Sequence, residues 1–169
     1  SSAASDVYKR QTDGREPSVR CINFGLDGMQ SFSFTLEEER SAVLVPAGQV
    51  GTYLYEPNAS VLKAGAFKQI AVRTGVKMLQ VNSHLYTSDH LVSDFPGRRF
   101  RVDEVLSFTG KLCKGLSKTI PQANITVRNF PLSVEELRKR TKITDGGHVY
   151  LFATTLVDGE KVLVKCSKA

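Results

Sequence analysis

Basic side chains that could bind phosphate are concentrated in the C-terminal part of this sequence. Residues 98–169 contain 14 Lys and Arg against 7 Asp and Glu, a net charge of +7, whereas residues 1–97 contain 9 against 10, a net charge of −1. Lys and Arg neutralise phosphates and release counterions, which gives salt-dependent affinity for nucleic acid with little sequence readout. The candidate phosphate-binding residues are Arg99, Arg101, Lys111, Lys114, Lys118, Arg138, Lys139, Arg140 and Lys142.

A second interpretation of these cations is the solvated exterior of two helices, and charge alone does not separate the two. The residues from Lys111 to Lys118 belong to one predicted helix and those from Arg138 to Lys142 to another. They form a single positive surface only if the two helices lie side by side. Because no aromatic and glycine motif of the RNA-recognition kind is present, stacking of bases is not indicated.

Catalytic motifs are almost absent from the sequence. It contains no phosphate-binding glycine loop, no His-Glu-x-x-His and no nucleophile elbow. Residues 84–90 combine two imidazoles, hydroxyls and a carboxylate, and they could support acid–base catalysis only if His84 and Asp89 converge in a cleft. A structural or ligand-contacting polar loop is the favoured interpretation. We therefore predict no catalytic residue, no metal site and no cofactor site within this sequence.

Composition indicates a folded protein of one domain or two small ones. The 169 residues are 41% hydrophobic and 24% charged. No run approaches the roughly 18 apolar residues that a membrane span requires, and the N-terminus lacks the apolar segment of a secretory signal, so a cytoplasmic protein without a membrane partner is expected. Three cysteines without Cys-x-x-Cys spacing argue against disulfides and zinc and favour buried free thiols.

The first eleven residues are expected to be foreign to the natural protein. Residues 6–11, Asp-Val-Tyr-Lys-Arg-Gln, resemble the in-frame translation of a sequencing adapter, so residues 1–11 are predicted to be a disordered scar. On this hypothesis the natural protein continues upstream of Thr12 and the chain is a C-terminal fragment. The alternative is a genuine flexible terminus.

The N-terminal half predicts a hairpin and a helix. Alternating residues at 19–24 and 31–36 predict the hairpin, and the charge run at 37–40 is interpreted as a solvated strand end or loop. Pro57 and Gly75 suit the two ends of one amphipathic helix. The remaining predictions are strands at 50–55 and 76–81 and a polar strand or loop at 82–90.

Residues after the Pro96-Gly97 break predict the order β-α-β-α-β-β, an α+β arrangement with two helices over one face of a small sheet. Thr109 can cap the first helix and Pro121 ends it. Ser133 and Glu136 form a capping box for the second helix. The strands are predicted at 101–108, at 123–128 and in a hairpin that turns at Asp158-Gly159.

Three stretches resemble a bacterial family of class I S-adenosylmethionine-dependent methyltransferase-like proteins. They are Tyr-Leu-Tyr-Glu-Pro-Asn within residues 53–67, Asn-Ser-His-Leu-Tyr-Thr-Ser at 82–88 and Phe-Pro-Gly-Arg at 95–98. In that family a methyltransferase domain precedes a ferredoxin-like segment and a THUMP-like domain. The resemblance implies a ferredoxin-like connector at 12–97 and a THUMP-like domain at 98–169.

The resemblance also implies a function. It suggests that this region holds a structured RNA, tRNA or rRNA, for a methyltransferase domain that precedes it and uses S-adenosylmethionine. The glycine-rich cofactor loop does not occur in this sequence, so neither cofactor binding nor methylation is expected of the chain itself. The alternative is a structural module that packs on the methyltransferase domain or on a second copy, through an apolar patch near residues 53–70. Arg98, within a family motif, is as well suited to a structural salt bridge as to a phosphate contact.

Overall fold

Two sheets and five helices make up the computed structural model, which describes residues 5–11, 17–25 and 28–169. The strands are β1 (Ser5–Gln11), β2 (Ser18–Gly25), β3 (Gly28–Thr35), β4 (Tyr53–Pro57), β5 (Lys77–Met78), β6 (Tyr86–Ser88), β7 (Gly97–Ser107), β8 (Asn124–Arg128), β9 (Tyr150–Thr155) and β10 (Lys161–Lys168). The helices are α1 (Leu36–Ser41), α2 (Ala59–Ala64), α3 (Gln69–Thr74), α4 (Gly110–Thr119) and α5 (Val134–Thr141).

The first three strands form a small antiparallel sheet in the order β1-β2-β3. Strands β2 and β3 confirm the hairpin that the alternating residues predict. Strand β1 was not expected, because disorder was predicted over residues 1–11; residues 1–4 lie outside the described part of the chain. Strand β1 pairs with β2 along its whole length. This pairing is possible because an open strand edge offers unpaired N–H and C=O groups to any extended segment.

The charge run after β3 is a short helix, so its interpretation as a strand end or loop was wrong. Thr35 accepts a hydrogen bond from the Glu38 amide at 3.0 Å, and the Glu38 carboxylate accepts one from the Thr35 amide at 2.9 Å. This capping box starts α1. Glu39 then accepts hydrogen bonds from the amides of Lys68 and Gln69, so its carboxylate caps the start of α3.

The residues between Pro57 and Gly75 form two short helices rather than the single helix that was predicted. Gly65 adopts a left-handed conformation with φ 76° and ends α2. Of the predicted apolar face, Ala66 and Ile70 are buried, together with Val61, whereas Leu62 is half-buried and Ala59 is exposed. The small sheet covers these helices through a shared apolar cluster that also contains Phe34.

The second sheet has seven strands in the order β5-β6-β4-β7-β10-β9-β8. The long strand β7 pairs with β4 through its first residues and with β10 through nearly its whole length. The Pro96-Gly97 break is therefore the start of a strand, four residues before the predicted one. One continuous ladder joins the N-terminal and basic parts of the chain.

The C-terminal elements follow the predicted β-α-β-α-β-β order. Thr109 caps α4 by accepting a hydrogen bond from the Leu112 amide at 3.1 Å, and the predicted capping box starts α5. Both helices share an apolar cluster with β9 and β10, in which Leu116, Leu137 and Leu163 are buried. The two helices therefore cover the same face of the sheet, as predicted.

A glutamate in β4 binds arginines from two other strands. The Glu56 carboxylate lies 2.7 Å from Arg98 on the adjacent strand β7 and 2.8 Å from Arg128 on the edge strand β8. Three strands separate β8 from β4, a distance of roughly 19 Å in a flat sheet. The sheet must therefore curl around this face to bring Arg128 to Glu56. Of the two roles weighed for Arg98, the structure shows the salt bridge.

The close pairing of β4 with β7 depends on Gly97. A Cβ atom at this position would lie 2.1 Å from the Glu56 carbonyl oxygen and 2.8 Å from the Pro57 Cα. Both contacts are with backbone, which cannot move aside as a flexible side chain can. The position therefore excludes every residue except glycine.

The three cysteines are buried free thiols, as predicted. Burial raises the pKa of the Cys21 thiol to about 11. The pKa of Cys166 rises to about 12, through burial and the nearby Asp103 carboxylate. Because the thiolate is the reactive form, these side chains act as small apolar groups at neutral pH.

Substitution of Gly97 by alanine tests the close approach of β4 and β7. We expect Gly97→Ala to lower the free energy of unfolding by about 1–3 kcal/mol, because the strands must separate to admit the methyl group. Urea denaturation measures the change. Gly115→Ala is the matched control, since open space surrounds Gly115 within α4 and alanine there should stabilise by about 0.5–1 kcal/mol. Equal effects of the two substitutions would contradict this assignment.

Glu56→Gln tests the double ion pair. The Glu56 side chain is only 12% exposed, whereas Arg98 and Arg128 are 51% and 32% exposed. Loss of the carboxylate leaves two partly solvated cations unpaired, and we expect a destabilisation of about 1–2 kcal/mol in urea denaturation. Glu37→Gln removes an ion pair whose two side chains are well exposed and should change stability by less than about 0.5 kcal/mol. A smaller effect at Glu56 than at Glu37 would refute the role given to the pair.

Candidate nucleic-acid interface

Helix α4 presents its lysines directly away from the core. Its buried residues are Cys113 and Leu116, and Ile120 continues the same stripe just beyond its last turn. The three lysines stand at spacings of three and four residues, which places them together on the opposite side of the helix. Lys111, Lys114 and Lys118 are all exposed.

Helix α5 lies against α4 on the same face of the sheet. Leu137 and Thr141 are its buried residues, while Lys139 and Arg140 are exposed in its last turn. Lys142 caps the helix in a left-handed conformation with φ 65° and is also exposed. The side-by-side arrangement that a single positive surface requires is therefore present.

The charge of Arg140 reaches α4. Burial raises the pKa of the Cys113 thiol, and the positive charge of Arg140 partly opposes that rise. Arg140 therefore lies near α4, and it lines a cavity together with Gly110 at the start of that helix. The first turn of α5 carries Glu135 and Glu136, so the positive charge of this helix is concentrated at its C-terminal end. We call the six exposed cations of the two helices the cationic surface; they are Lys111, Lys114, Lys118, Lys139, Arg140 and Lys142.

Arg138 does not belong to the cationic surface. Its guanidinium donates hydrogen bonds to the carbonyls of Ile143 at 3.2 Å and Ala123 at 3.1 Å. It also forms an ion pair with Asp145 at 2.9 Å. With a side chain only 22% exposed, Arg138 holds the loop after α5 against the start of β8.

The two arginines of β7 that were predicted to bind phosphate have different surroundings. Arg99 is half-buried and donates a hydrogen bond to the Ser93 carbonyl at 2.7 Å. Arg101 is exposed and pairs across the strands with Tyr53. Arg101 is therefore free to contact a ligand, whereas Arg99 already serves the turn that leads into β7.

Lys161 is a basic residue near this region that the sequence did not single out. It begins β10, immediately after the predicted turn at Asp158-Gly159, and it is exposed. Together with Arg140 it lines a cavity between α4, α5 and β10. Strand alternation after the turn could have placed Lys161 on the face that the helices cover. Arg140, which shares the cavity with it, lies on a helix 21 residues earlier, so no local pattern connects the two.

The predicted catalytic pair does not share a cleft. His84 adopts a left-handed conformation with φ 53° and stacks on Phe67 at 4.1 Å between ring centroids. Burial, with a contribution from Arg128, lowers its pKa. Asp89 instead accepts a hydrogen bond from the Thr52 amide at 3.4 Å and lines a cavity that His84 does not reach. The enzyme hypothesis based on these two residues is wrong.

The cavity that Asp89 lines has a volume of about 550 Å³, and several of its polar groups form hydrogen bonds within the protein. The Thr87 hydroxyl accepts from the Gly51 amide and donates to the Tyr53 carbonyl, each at 2.7 Å. The Ser88 hydroxyl donates to the His90 carbonyl at 2.6 Å. The hydroxyls of Thr87 and Ser88 therefore serve the local structure. Within the described residues, no group of three or more His, Cys, Asp or Glu is arranged to hold a metal ion.

The apolar patch expected near residues 53–70 is covered. Tyr55, Val61 and Ile70 are buried beneath the small sheet. The most exposed apolar side chains of the described residues are instead Val43 and Val45, at 90% and 84% exposure. None of the helices in the described part of the chain combines the length and apolar character that crossing a membrane demands.

Comparison with known proteins assigns the two parts of the large sheet. Residues 53–96 match a ferredoxin-like domain family, and residues 97–168 match a THUMP domain-like family. A crystal structure from Porphyromonas gingivalis W83, of a protein named "putative methyltransferase", is similar to this chain with 49% sequence identity and a TM-score of 0.80. No curated protein matches the chain significantly.

The similarity covers 83% of this chain and 35% of the Porphyromonas gingivalis chain. The present chain therefore spans about a third of the length of that protein. The α+β fold class and its two named parts, both predicted from the sequence, are confirmed. This chain combines a ferredoxin-like domain at residues 53–96 with a THUMP-like domain at residues 97–168.

Proposed function

We propose that this chain is the RNA-binding and substrate-positioning region of an S-adenosylmethionine-dependent RNA methyltransferase whose catalytic domain lies outside it. The observation that carries the proposal is the cationic surface on α4 and α5. The THUMP-like match and the name of the Porphyromonas gingivalis protein support it. The RNA is a folded one of the tRNA or rRNA class.

The cationic surface supplies phosphate contacts rather than base recognition. Lysine ammonium groups on flexible stems neutralise backbone phosphates wherever these lie along the surface. The Phe and Tyr rings of residues 97–169 are buried or half-buried, and Phe108 and Phe130 stack on each other. Because none of these rings is fully exposed on the cationic surface, the shape and charge of the RNA dominate binding there.

S-adenosylmethionine does not fit the residues of this chain. Around the cavity of about 550 Å³ the Gly51 amide and the Thr87 and Ser88 hydroxyls already form hydrogen bonds within the protein, and the described residues contain no glycine-rich turn from a strand into a helix. The proposal therefore assigns the cofactor to the catalytic domain. This chain contributes the placement of the RNA.

Reversal of the α4 charges tests the proposal. We expect the chain to bind a folded tRNA. If all six cations contact phosphate, log K for binding should fall by about 4–5 for each unit increase in the logarithm of the salt concentration. Lys111→Glu, Lys114→Glu and Lys118→Glu together should weaken binding at least about tenfold and flatten the slope by about 2–3. Filter binding or fluorescence anisotropy over a range of salt concentrations measures both.

A matched control changes three exposed cations outside the cationic surface to glutamate. They are Arg20, Lys63 and Lys77. The same change in net charge should leave the affinity within about threefold at moderate salt, because screening weakens distant charges beyond roughly 10 Å. Absence of binding by the unmodified chain at low salt, or equal losses in both triple variants, would refute the proposal.

A second candidate function is self-association or docking through residues 42–47. The Ala47 amide donates a hydrogen bond to the Met78 carbonyl at 2.8 Å, which fixes this segment beside the edge strand β5. Leu44 packs inward against the apolar cluster, while Val43 and Val45 face the solvent. Adjacent exposed valines on a fixed segment are typical of a contact surface.

Sedimentation velocity over a range of concentrations tests this second function. We expect the chain to associate as concentration rises, and Val43→Ser with Val45→Ser to reduce that association because the apolar contact is lost. Val72→Ser is the control, since Val72 is a singly exposed valine on α3 at 54% exposure. A single monomeric species at every concentration would exclude self-association.

A further inference from the structure

A cavity of about 350 Å³ lies where α4 begins, beside the turn that leads into α5. Its walls come from three separate parts of the THUMP-like domain. They are residues 108–110 before and at the start of α4, residues 131–132 before α5, and the side chains of Arg140 and Lys161. The mechanism proposed above uses Arg140 as one of six surface cations and assigns no role to the cavity.

The charge of the cavity is entirely positive. Arg140 and Lys161 are its charged lining residues, and neither forms an ion pair with a carboxylate of the described residues. Glu160 is adjacent to Lys161 in sequence, but successive residues of a strand point to opposite faces. Its carboxylate accepts a hydrogen bond from Ser107 at 2.5 Å and lines a different cavity. Two unpaired cations therefore converge on one space.

The rest of the lining is largely apolar. Phe108, Pro131 and Leu132 contribute to it, and the Phe108 ring is held by stacking on Phe130 at 4.9 Å between centroids. An anion alone would leave these apolar walls in contact with water. A ligand with a phosphate and a flat heterocycle satisfies both parts of the lining, because nucleobases stack on aromatic and apolar side chains.

The volume limits the size of the ligand. Pockets for small molecules occupy about 300–1,000 Å³, and this cavity is near the lower end of that range. It therefore has room for one nucleotide. Charge-assisted hydrogen bonds from Arg140 and Lys161 would bind the phosphate.

We propose that this cavity is a binding site for a single nucleotide, with its phosphate on Arg140 and Lys161 and its base against Phe108 and Leu132. The nucleotide is either an unpaired nucleotide of a bound RNA or a free nucleoside monophosphate, which present the same chemistry. The RNA source rests on the proposed function, whereas the cavity itself does not. The cavity would add to the cationic surface a contact that depends on an unpaired nucleotide.

Titration of the chain with adenosine monophosphate, adenosine and inorganic phosphate, followed by amide NMR, tests the site. Saturable shifts centred on Phe108, Thr109, Gly110 and Leu132 are expected with the monophosphate. Adenosine and inorganic phosphate should each bind at least about tenfold more weakly, since each lacks one half of the recognised group. Absence of these shifts, or equal affinity for all three ligands, would overturn the proposal.

Lys161→Gln is the decisive variant because Lys161 is exposed and lies outside the cationic surface. This substitution should lower the affinity for adenosine monophosphate at least about tenfold, because one charge-assisted contact is lost. Lys63→Gln changes an exposed cation that lies outside both the cationic surface and the cavity lining, and it should leave that affinity unchanged within about twofold. Unchanged affinity in Lys161→Gln, or an equal loss in both variants, would refute the assignment.

Two RNA hairpins, one blunt and one with unpaired 3′ nucleotides, separate the two sources. Loss of affinity in Lys161→Gln for the overhang alone supports the RNA source. Loss for the monophosphate without any loss for either RNA supports the free nucleotide. Monophosphate binding that persists when the chain binds no RNA would refute the proposed function while supporting the cavity.

Discussion

The double ion pair of Glu56 determines the shape of the large sheet. A seven-stranded sheet twists by default, but nothing in that twist alone brings β4, its third strand, and the edge strand β8 together around one face. The Glu56 carboxylate does so by binding Arg98 on the neighbouring strand and Arg128 on the edge strand. Gly97 is the second part of this constraint, because only a residue without a Cβ lets β7 approach the Glu56 carbonyl. The Glu56 carboxylate and Gly97 both act where β4 pairs with β7.

The pairing of β4 with β7 also fixes the two parts of the chain relative to each other. Strand β7 belongs to the ladder of β4 on one side and of β10 on the other, so the ferredoxin-like and THUMP-like parts share main-chain hydrogen bonds. Independent domains joined by a linker would move relative to each other by default. A shared sheet instead keeps the cationic helices in a fixed direction relative to the ferredoxin-like part. That geometry is compatible with the proposed role in placing an RNA.

Local signals explain what could be predicted. The capping boxes and the turn at Asp158-Gly159 act over a few residues, and they place α5 and the final hairpin correctly. The equivalent signal at Thr35 was overlooked because three adjacent glutamates suggested a solvated run, although Glu38 stands three residues after the threonine as a capping box requires. Gly65, whose left-handed conformation ends α2, was not recognised as a helix end. The pairing of Glu56 with Arg128 spans 72 residues, so no local pattern could reveal it.

The division of labour between arginine and lysine argues for the kind of binding this surface can achieve. Arg98, Arg128 and Arg138 bind carboxylates within the fold, and Arg99 binds a carbonyl, so these planar forks stabilise the protein itself. The outward face of α4 carries only lysines, compact charges on flexible stems. Bidentate recognition of base edges is largely an arginine property, whereas lysines neutralise phosphates without reading sequence. The net charge of the C-terminal part therefore overstates the charge that is free to contact a ligand. If the proposed RNA binds here, selectivity for one RNA over another must come from shape and from contacts outside this lysine face.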